Sequence, residues 1–193
     1  MNFNNQLKQV WESESVANML QRIHFQYATK KLKSLSVLSE ERLEGKTTVS
    51  ILLARGLSEV YKLKILLVDL NPEGDSLLNL YLKDYTTKDG LVIGHPFSFS
   101  IFRLKDLDVN WSKSMHDSLY INRIISNLSE QVDILIVDTP NLVTQSDSFI
   151  KLNTDSNLIV SSEKILSRSE HSNKVKNDIE INRKKLLGII YNK

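Results

Sequence analysis

A chain of 193 residues is long enough for one well-cored domain and short for a second, so residues 1–193 are read as a single domain. Hydrophobic residues at 41%, charged residues at 25% and a net charge of +2 are ordinary for a globular protein and give no reason to expect nucleic acid as a partner. The absence of cysteine excludes disulfides and thiolate metal sites. With neither a secretory-type N-terminus nor a run of about 18 apolar residues, the sequence reads as soluble and cytoplasmic.

Residues 1–13 are a polar extension without periodicity. Val16, Met19, Leu20, Ile23 and Tyr27 then recur at spacings of three and four, which predicts a helix from Glu14 to Tyr27 with one apolar face. Lys30, Lys31 and Lys33 read as a solvated basic helix end. An apolar run, Leu35 to Leu38, predicts a buried strand. It leads through Ser39-Glu40-Glu41-Arg42-Leu43-Glu44-Gly45 into Lys46-Thr47-Thr48 and a helix from Val49 to Val60. Strand, loop, Gly-Lys-Thr and helix are the parts of a phosphate-binding loop, whose backbone N–H groups and helix N-terminus hold a phosphate chain. Of the glycines such loops carry, only Gly45 is present.

Ile65-Leu66-Leu67-Val68 is a continuous apolar run ending in Asp69 and broken at once by Asn71-Pro72-Glu73-Gly74. That pattern predicts a strand buried on both faces, as in a parallel sheet covered by helices. The stretch from Tyr81 to Asn110 predicts loops and a short strand or two, with Phe97, Phe99, Phe102 and Trp111 packed in core or loops rather than forming a docking patch. Met115 to Leu128 reads as a helix. Ile134 to Val137 is a second apolar strand ending in an aspartate, Asp138, followed by Thr139-Pro140. A strand over Asn157–Val160, a helix from Ser167 to Ile181 and a final strand over Leu186–Tyr191 complete the pattern. Strands alternating with helices predict a three-layer α/β/α fold with a mainly parallel sheet.

Such a sheet gathers four groups at the C-terminal ends of its strands. Lys46 supplies a cation for the outer phosphates and Thr47 a hydroxyl for a magnesium ion. Asp138 holds that ion directly or through water, and Asp69 orients or deprotonates an attacking hydroxyl. His24, His95, His116 and His171 are scattered, with no metal-ligand spacing.

With these residues in view, the chain resembles the cytoplasmic domain of bacterial tyrosine kinases, the BY-kinases. These P-loop proteins partner membrane co-polymerases in capsule and exopolysaccharide synthesis, within the wider superfamily of MinD/ParA-like ATPases. Lys33, Ser34, Ser39, Glu44, Gly45, Lys46 and Thr47 match the first motif. Asp69-Leu70-Asn71 corresponds to its Asp-x-Asp, Asp138-Thr139-Pro140-Asn141 to its Asp-Thr-Pro-Pro, and Leu187-Gly188 through Asn192 to its Leu-Gly-x-x-x-Asn ending. The resemblance implies ATP or ADP with Mg2+ as cofactors. It implies Glu44, Gly45, Lys46, Thr47 and Thr48 around the phosphates, Asn192 at the adenine, Thr47, Asp69 and Asp138 at the metal, and Asp69, Lys46 and Asp138 in catalysis. It also implies, as partner, a cytoplasmic segment of a membrane polysaccharide co-polymerase or another export subunit that brings the chain to the inner membrane face. Glu41 stands where partition and cell-division-site ATPases have a signature lysine, which disfavours that branch.

The departures shape the functional reading. Arg42-Leu43 replaces the family's Pro-Gly, so a turn requiring positive φ there is either strained or reshaped. Glu41 adds negative charge near the phosphates, and Asn71 removes one carboxylate. Glu14, Ala17 and Leu20 keep the glutamate but neither arginine of the ring-forming Glu-x-x-Arg-x-x-Arg, and the chain ends at Tyr191-Asn192-Lys193 with no tyrosine cluster. Two readings follow: an interaction or regulatory subunit of polysaccharide synthesis or export with weak or no tyrosine kinase activity, or an active ATP-dependent enzyme using Lys46, Thr47, Asp69 and Asp138.

Overall fold

The computed structural model describes residues 14–30, 32–39, 41, 43–71, 85–95, 97–107, 117–141, 152–162, 177, 180 and 185–192. In chain order the elements are α1 (Glu14–Lys30), β1 (Ser34–Leu38), α2 (Lys46–Glu59), β2 (Ile65–Asp69), β3 (Thr86–Lys88), β4 (Leu91–Ile93) and β5 (Ser100–Arg103). There follow α3 (Leu104–Leu107), α4 (Ser118–Ser129), β6 (Ile134–Asp138), β7 (Ser156–Ser162) and β8 (Leu186–Asn192). The eight strands form one sheet in the order β3-β4-β5-β2-β6-β1-β7-β8. From β5 to β8 every pairing is parallel, while β3, β4 and β5 pair antiparallel.

The central strands β1, β2 and β6 are buried along their whole length, as continuous apolar runs require in a sheet covered on both faces. One face carries Leu35, Val37, Ile65, Leu67, Ile134 and Ile136, packed against Val16, Leu20 and Ile23 of α1 and Val49, Leu53 and Leu57 of α2. The other carries Leu66, Val68, Leu135 and Val137 against Ile121 and Ile125 of α4. The result is the three-layer arrangement expected from the sequence. The chain runs left in the sheet order from β1 through α2 to β2, and right from β5 through α4 to β6. Right-handed crossovers in opposite directions place their helices on opposite faces.

Polar side chains pin the lower ends of these strands. Asp155 accepts from the Lys33 and Ser34 N–H groups, both at 2.8 Å, and from the Ser34 hydroxyl at 3.0 Å. Asp133 likewise accepts from the Lys64 N–H at 2.8 Å and the Tyr27 hydroxyl at 3.2 Å, fixing where β2 and β6 begin.

The stretch before α4 departs from expectation. Three strands and a short helix lie where the sequence predicts loops and a strand or two. β3 is exposed and carries no alternation, and β5 is a short strand in which Ile101, Phe102 and Arg103 are all buried, so neither gives a periodic signal. Phe99 and Phe102 are core residues, as expected, while Trp111 lies outside the described residues. Gly90 turns β3 into β4 at φ 81°, and a Cβ there would fall 2.7 Å from the Phe102 ring. α4 begins at Ser118, where the Asp117 side chain accepts from the Leu119 and Tyr120 N–H groups as an N-cap, and Met115, the expected start, lies outside the described residues. The helix predicted over 167–181 lies almost wholly outside the described residues. Leu20, where the ring-forming pattern has its second arginine, is buried in the core, and Ala17 is exposed.

Candidate functional site

The parallel register brings the functional groups together. Asp69 pairs with Asp138 across β2 and β6, and Arg103 with Asp69 across β5 and β2. All three therefore stand in one row at the C-terminal ends of adjacent strands, on the face covered by α2. α2 itself begins at Lys46, directly after the loop leaving β1, so Lys46 and Thr47 arrive at the same edge.

Gly45 sits at the N-cap of α2 with φ 91°, a left-handed conformation that suits glycine. Having no side chain, it leaves the first-turn N–H groups without a side-chain cap, and uncapped N–H groups at a helix N-terminus are the usual seat of a phosphate. Thr47 and Lys46 are buried, Thr48 half-buried. The Thr47 hydroxyl donates to Asp138 Oδ2 at 2.7 Å, so the two oxygens expected at a magnesium ion already lie together. Ser50, one turn further along α2, donates to the Lys46 carbonyl at 3.0 Å and lies 3.4 Å from Asp138 Oδ1. The donor set fits a Mg2+-nucleotide, whose metal would supply charge neutralisation of the phosphates.

Burial controls the electrostatics. Desolvation lowers the Lys46 pKa, against the pull of Asp138, Glu44 and Asp69. Desolvation also raises the Asp138 carboxyl to about 6, reinforced by Asp69 and opposed by Lys46 and by the hydroxyls of Thr47 and Ser50. The native carboxyl thus keeps a proton over an interval where an unburied one, at 3.8, has released it. The contribution of this group to stability therefore falls as pH rises from about 4 to about 6. Urea titrations across this interval are expected to show a steeper fall for the wild type than for Asp138→Asn. Parallel curves would contradict it.

The loop keeps the turn that its sequence puts under strain. Leu43 adopts φ 63°, the left-handed region, with its side chain 91% exposed. The bend is thus held with a leucine in it, which for a non-glycine residue costs about 1–2 kcal/mol. Leu43→Gly should therefore raise stability by about 1 kcal/mol or less, since glycine's unfolded-state entropy offsets part of the gain. A lower urea midpoint would show that the leucine side chain contributes more than it strains. Glu41 is exposed, and Glu44 is buried with its Oε2 accepting the Glu41 N–H at 2.9 Å. Glu44 thus braces the loop from within.

Asn71 and Arg103 are the residues whose place only the structure shows. The Asn71 amide donates to Asp69 Oδ1 at 2.9 Å and to Asp138 Oδ2 at 3.1 Å. Arg103 is fully buried, with its Nε 3.8 Å from Asp69 Oδ2 and 3.5 Å from Asp106 Oδ2. Its guanidinium lies against Tyr85 and donates to the Tyr85 hydroxyl. The sequence signal for Arg103 is a third polar residue closing an apolar stretch, Ser-Ile-Phe-Arg, as Asp69 and Asp138 close theirs. Asn192 ends β8, two strands from β1, and its side chain lies outside the described residues. No cluster of three His, Cys, Asp or Glu side chains suited to a metal occurs among the described residues. The expected metal set of Thr47, Asp69 and Asp138 contains two carboxylates and a hydroxyl.

No protein-family model matches the sequence, and no curated protein sequence does either. Solved structures do match. The kinase domain of Escherichia coli tyrosine kinase ETK superposes with a TM-score of 0.75 at 19% identity, covering 93% of this chain and 74% of that one. The VpsO kinase domain gives 0.73 at 17% identity, over 100% and 99% of the two chains. The septum site-determining protein MinD from Pyrococcus horikoshii, complexed with Mg-ADP, gives 0.64 at 20% identity, over 82% and 69%. The chain has the P-loop fold shared by bacterial tyrosine-kinase domains and MinD-type ATPases.

Proposed function

We propose that this chain is a Mg2+-nucleotide-binding, kinase-like P-loop protein of bacterial polysaccharide synthesis or export, acting as an interaction or regulatory subunit with weak or no tyrosine kinase activity. The observation that carries the nucleotide reading is the convergence of Gly45, Lys46, Thr47, Asp69 and Asp138 at one sheet edge, with Thr47 and Asp138 2.7 Å apart. Lys46 and the open N-terminus of α2 hold the phosphates, and Thr47 and Asp138 hold the metal. Mg2+ supplies charge neutralisation of the phosphates when bound. The weak-activity reading is supported by Asn71, which takes one carboxylate out of the metal and hydroxyl chemistry, and by the strained Leu43.

The second reading, an active ATP-dependent kinase or ATPase, is supported by Asp69. This buried carboxylate stands beside Asp138 at the strand end, where it can accept the proton of an attacking hydroxyl. Incubation of the full chain with γ-labelled ATP and Mg2+ separates the two. Slow or undetectable phosphotyrosine and phosphate release together with saturable ATP binding supports the subunit reading, and robust label on tyrosine or robust release of labelled phosphate supports the enzyme. No helix among the described residues is long and apolar enough to cross a membrane. In this reading membrane association runs through a partner, the cytoplasmic segment of a polysaccharide co-polymerase. Co-purification of the tagged chain with the membrane fraction, lost when that segment is deleted, tests it, and recovery only in the cytosol would count against it.

A further inference from the structure

We propose that the Asn71 amide is a built-in competitor for the metal position: it stands between Asp69 and Asp138 in place of a cation, and a divalent ion must displace it. This rests on the nucleotide reading above. Asp69 and Asp138 are buried neighbours in register across β2 and β6, and two carboxylates facing each other away from water repel strongly unless positive hydrogens or a cation lie between them. An amide nitrogen carries two hydrogens. Asn71 Nδ2 uses one on Asp69 Oδ1 at 2.9 Å and the other on Asp138 Oδ2 at 3.1 Å. Its own backbone N–H also reaches Asp69 Oδ1, at 2.9 Å, so the amide is anchored in place by the residue it bridges.

The nitrogen assignment follows from the partners, because an amide oxygen in that place would face two acceptors. The bridged oxygen of Asp138 is also the one that accepts from Thr47 at 2.7 Å, so the amide and the magnesium-site hydroxyl converge on a single atom. On the far side of Asp69 the balancing charge is Arg103, 3.8 Å away. An aspartate at position 71 would bring a third carboxylate and require a cation; asparagine brings the hydrogens itself. The consequence is a site that binds divalent metal weakly on its own and more tightly with the nucleotide, whose phosphate oxygens supply the coordination that offsets the lost amide bonds.

The test is Mn2+ binding to the full chain followed by electron paramagnetic resonance, with and without ADP. Wild type is expected to bind Mn2+ weakly alone and more tightly with ADP. Asn71→Ala is expected to bind Mn2+ alone about tenfold more tightly, on the scale of one charge-assisted hydrogen bond lost to the competitor, with a smaller difference when ADP is present. Thermal transitions with and without Mn2+ identify folded protein, and Asn71→Leu, close in size and without donors, takes the place of the alanine variant if that one does not fold. Unchanged or weaker Mn2+ binding by the variant overturns the competitor role, and the nucleotide reading survives if wild type still binds Mn2+ with ADP. If wild type binds neither Mn2+ nor ADP, both fall.

Discussion

Replacing Arg103 by methionine is expected to lower the unfolding free energy by about 3–5 kcal/mol, the scale for removing one partner of a buried charge pair. For a chain of this size that is a fall in Tm of roughly 6–20 °C. The guanidinium is 1% exposed, lies between Asp69 and Asp106, and rests on Tyr85. Its loss leaves the Asp69 carboxylate buried beside Asp138 without the guanidinium 3.8 Å away. Methionine fills much of the volume, so the effect reports charge rather than a cavity. The double variant Arg103→Met with Asp69→Asn should recover part of the loss, because the stranded charge is then absent too. A drop below about 1 kcal/mol in the single variant would show that Asp69 is neutralised by other means.

Much of this arrangement is legible in the amino-acid sequence alone, for reasons tied to particular residues. Ile65–Asp69 and Ile134–Asp138 are apolar along their whole length and end in aspartate, so their burial and the place of both carboxylates follow from pattern. The Gly-Lys-Thr following a strand locates the start of α2. What pattern does not carry is register. That Asp69, Asp138 and Arg103 share one row depends on how β5, β2 and β6 slide past one another, which sequence spacing does not encode. Asn71 reads in the sequence as the loss of a carboxylate; its gain, two hydrogens aimed at both aspartates, is a three-dimensional fact. At Leu43 the residues alone leave open a strained turn or a reshaped loop, and φ 63° selects the first. The β3–β4 hairpin is invisible to pattern because its exposed Thr-Thr-Lys strand has neither an apolar run nor alternation.

The largest functional effect is expected at Lys46. Its amine is buried at the start of α2, and desolvation lowers its pKa while Asp138, Glu44 and Asp69 hold the charge on it. A buried cation so placed is costly unless an anion repays it, and a phosphate chain seated on the α2 N-terminus is the anion the geometry accommodates. Truncating one partner of such a buried charge contact costs about 2–5 kcal/mol of binding, so Lys46→Ala should weaken ATP by about 30-fold or more. The decisive measurement is a fluorescent-ATP titration of the wild-type chain and of Lys46→Ala, each with and without Mg2+. A P-loop that still closes around phosphate predicts saturable, Mg2+-strengthened binding by the wild type and its loss in the variant. No saturable binding by the wild type, or equal binding by the two proteins, would contradict it.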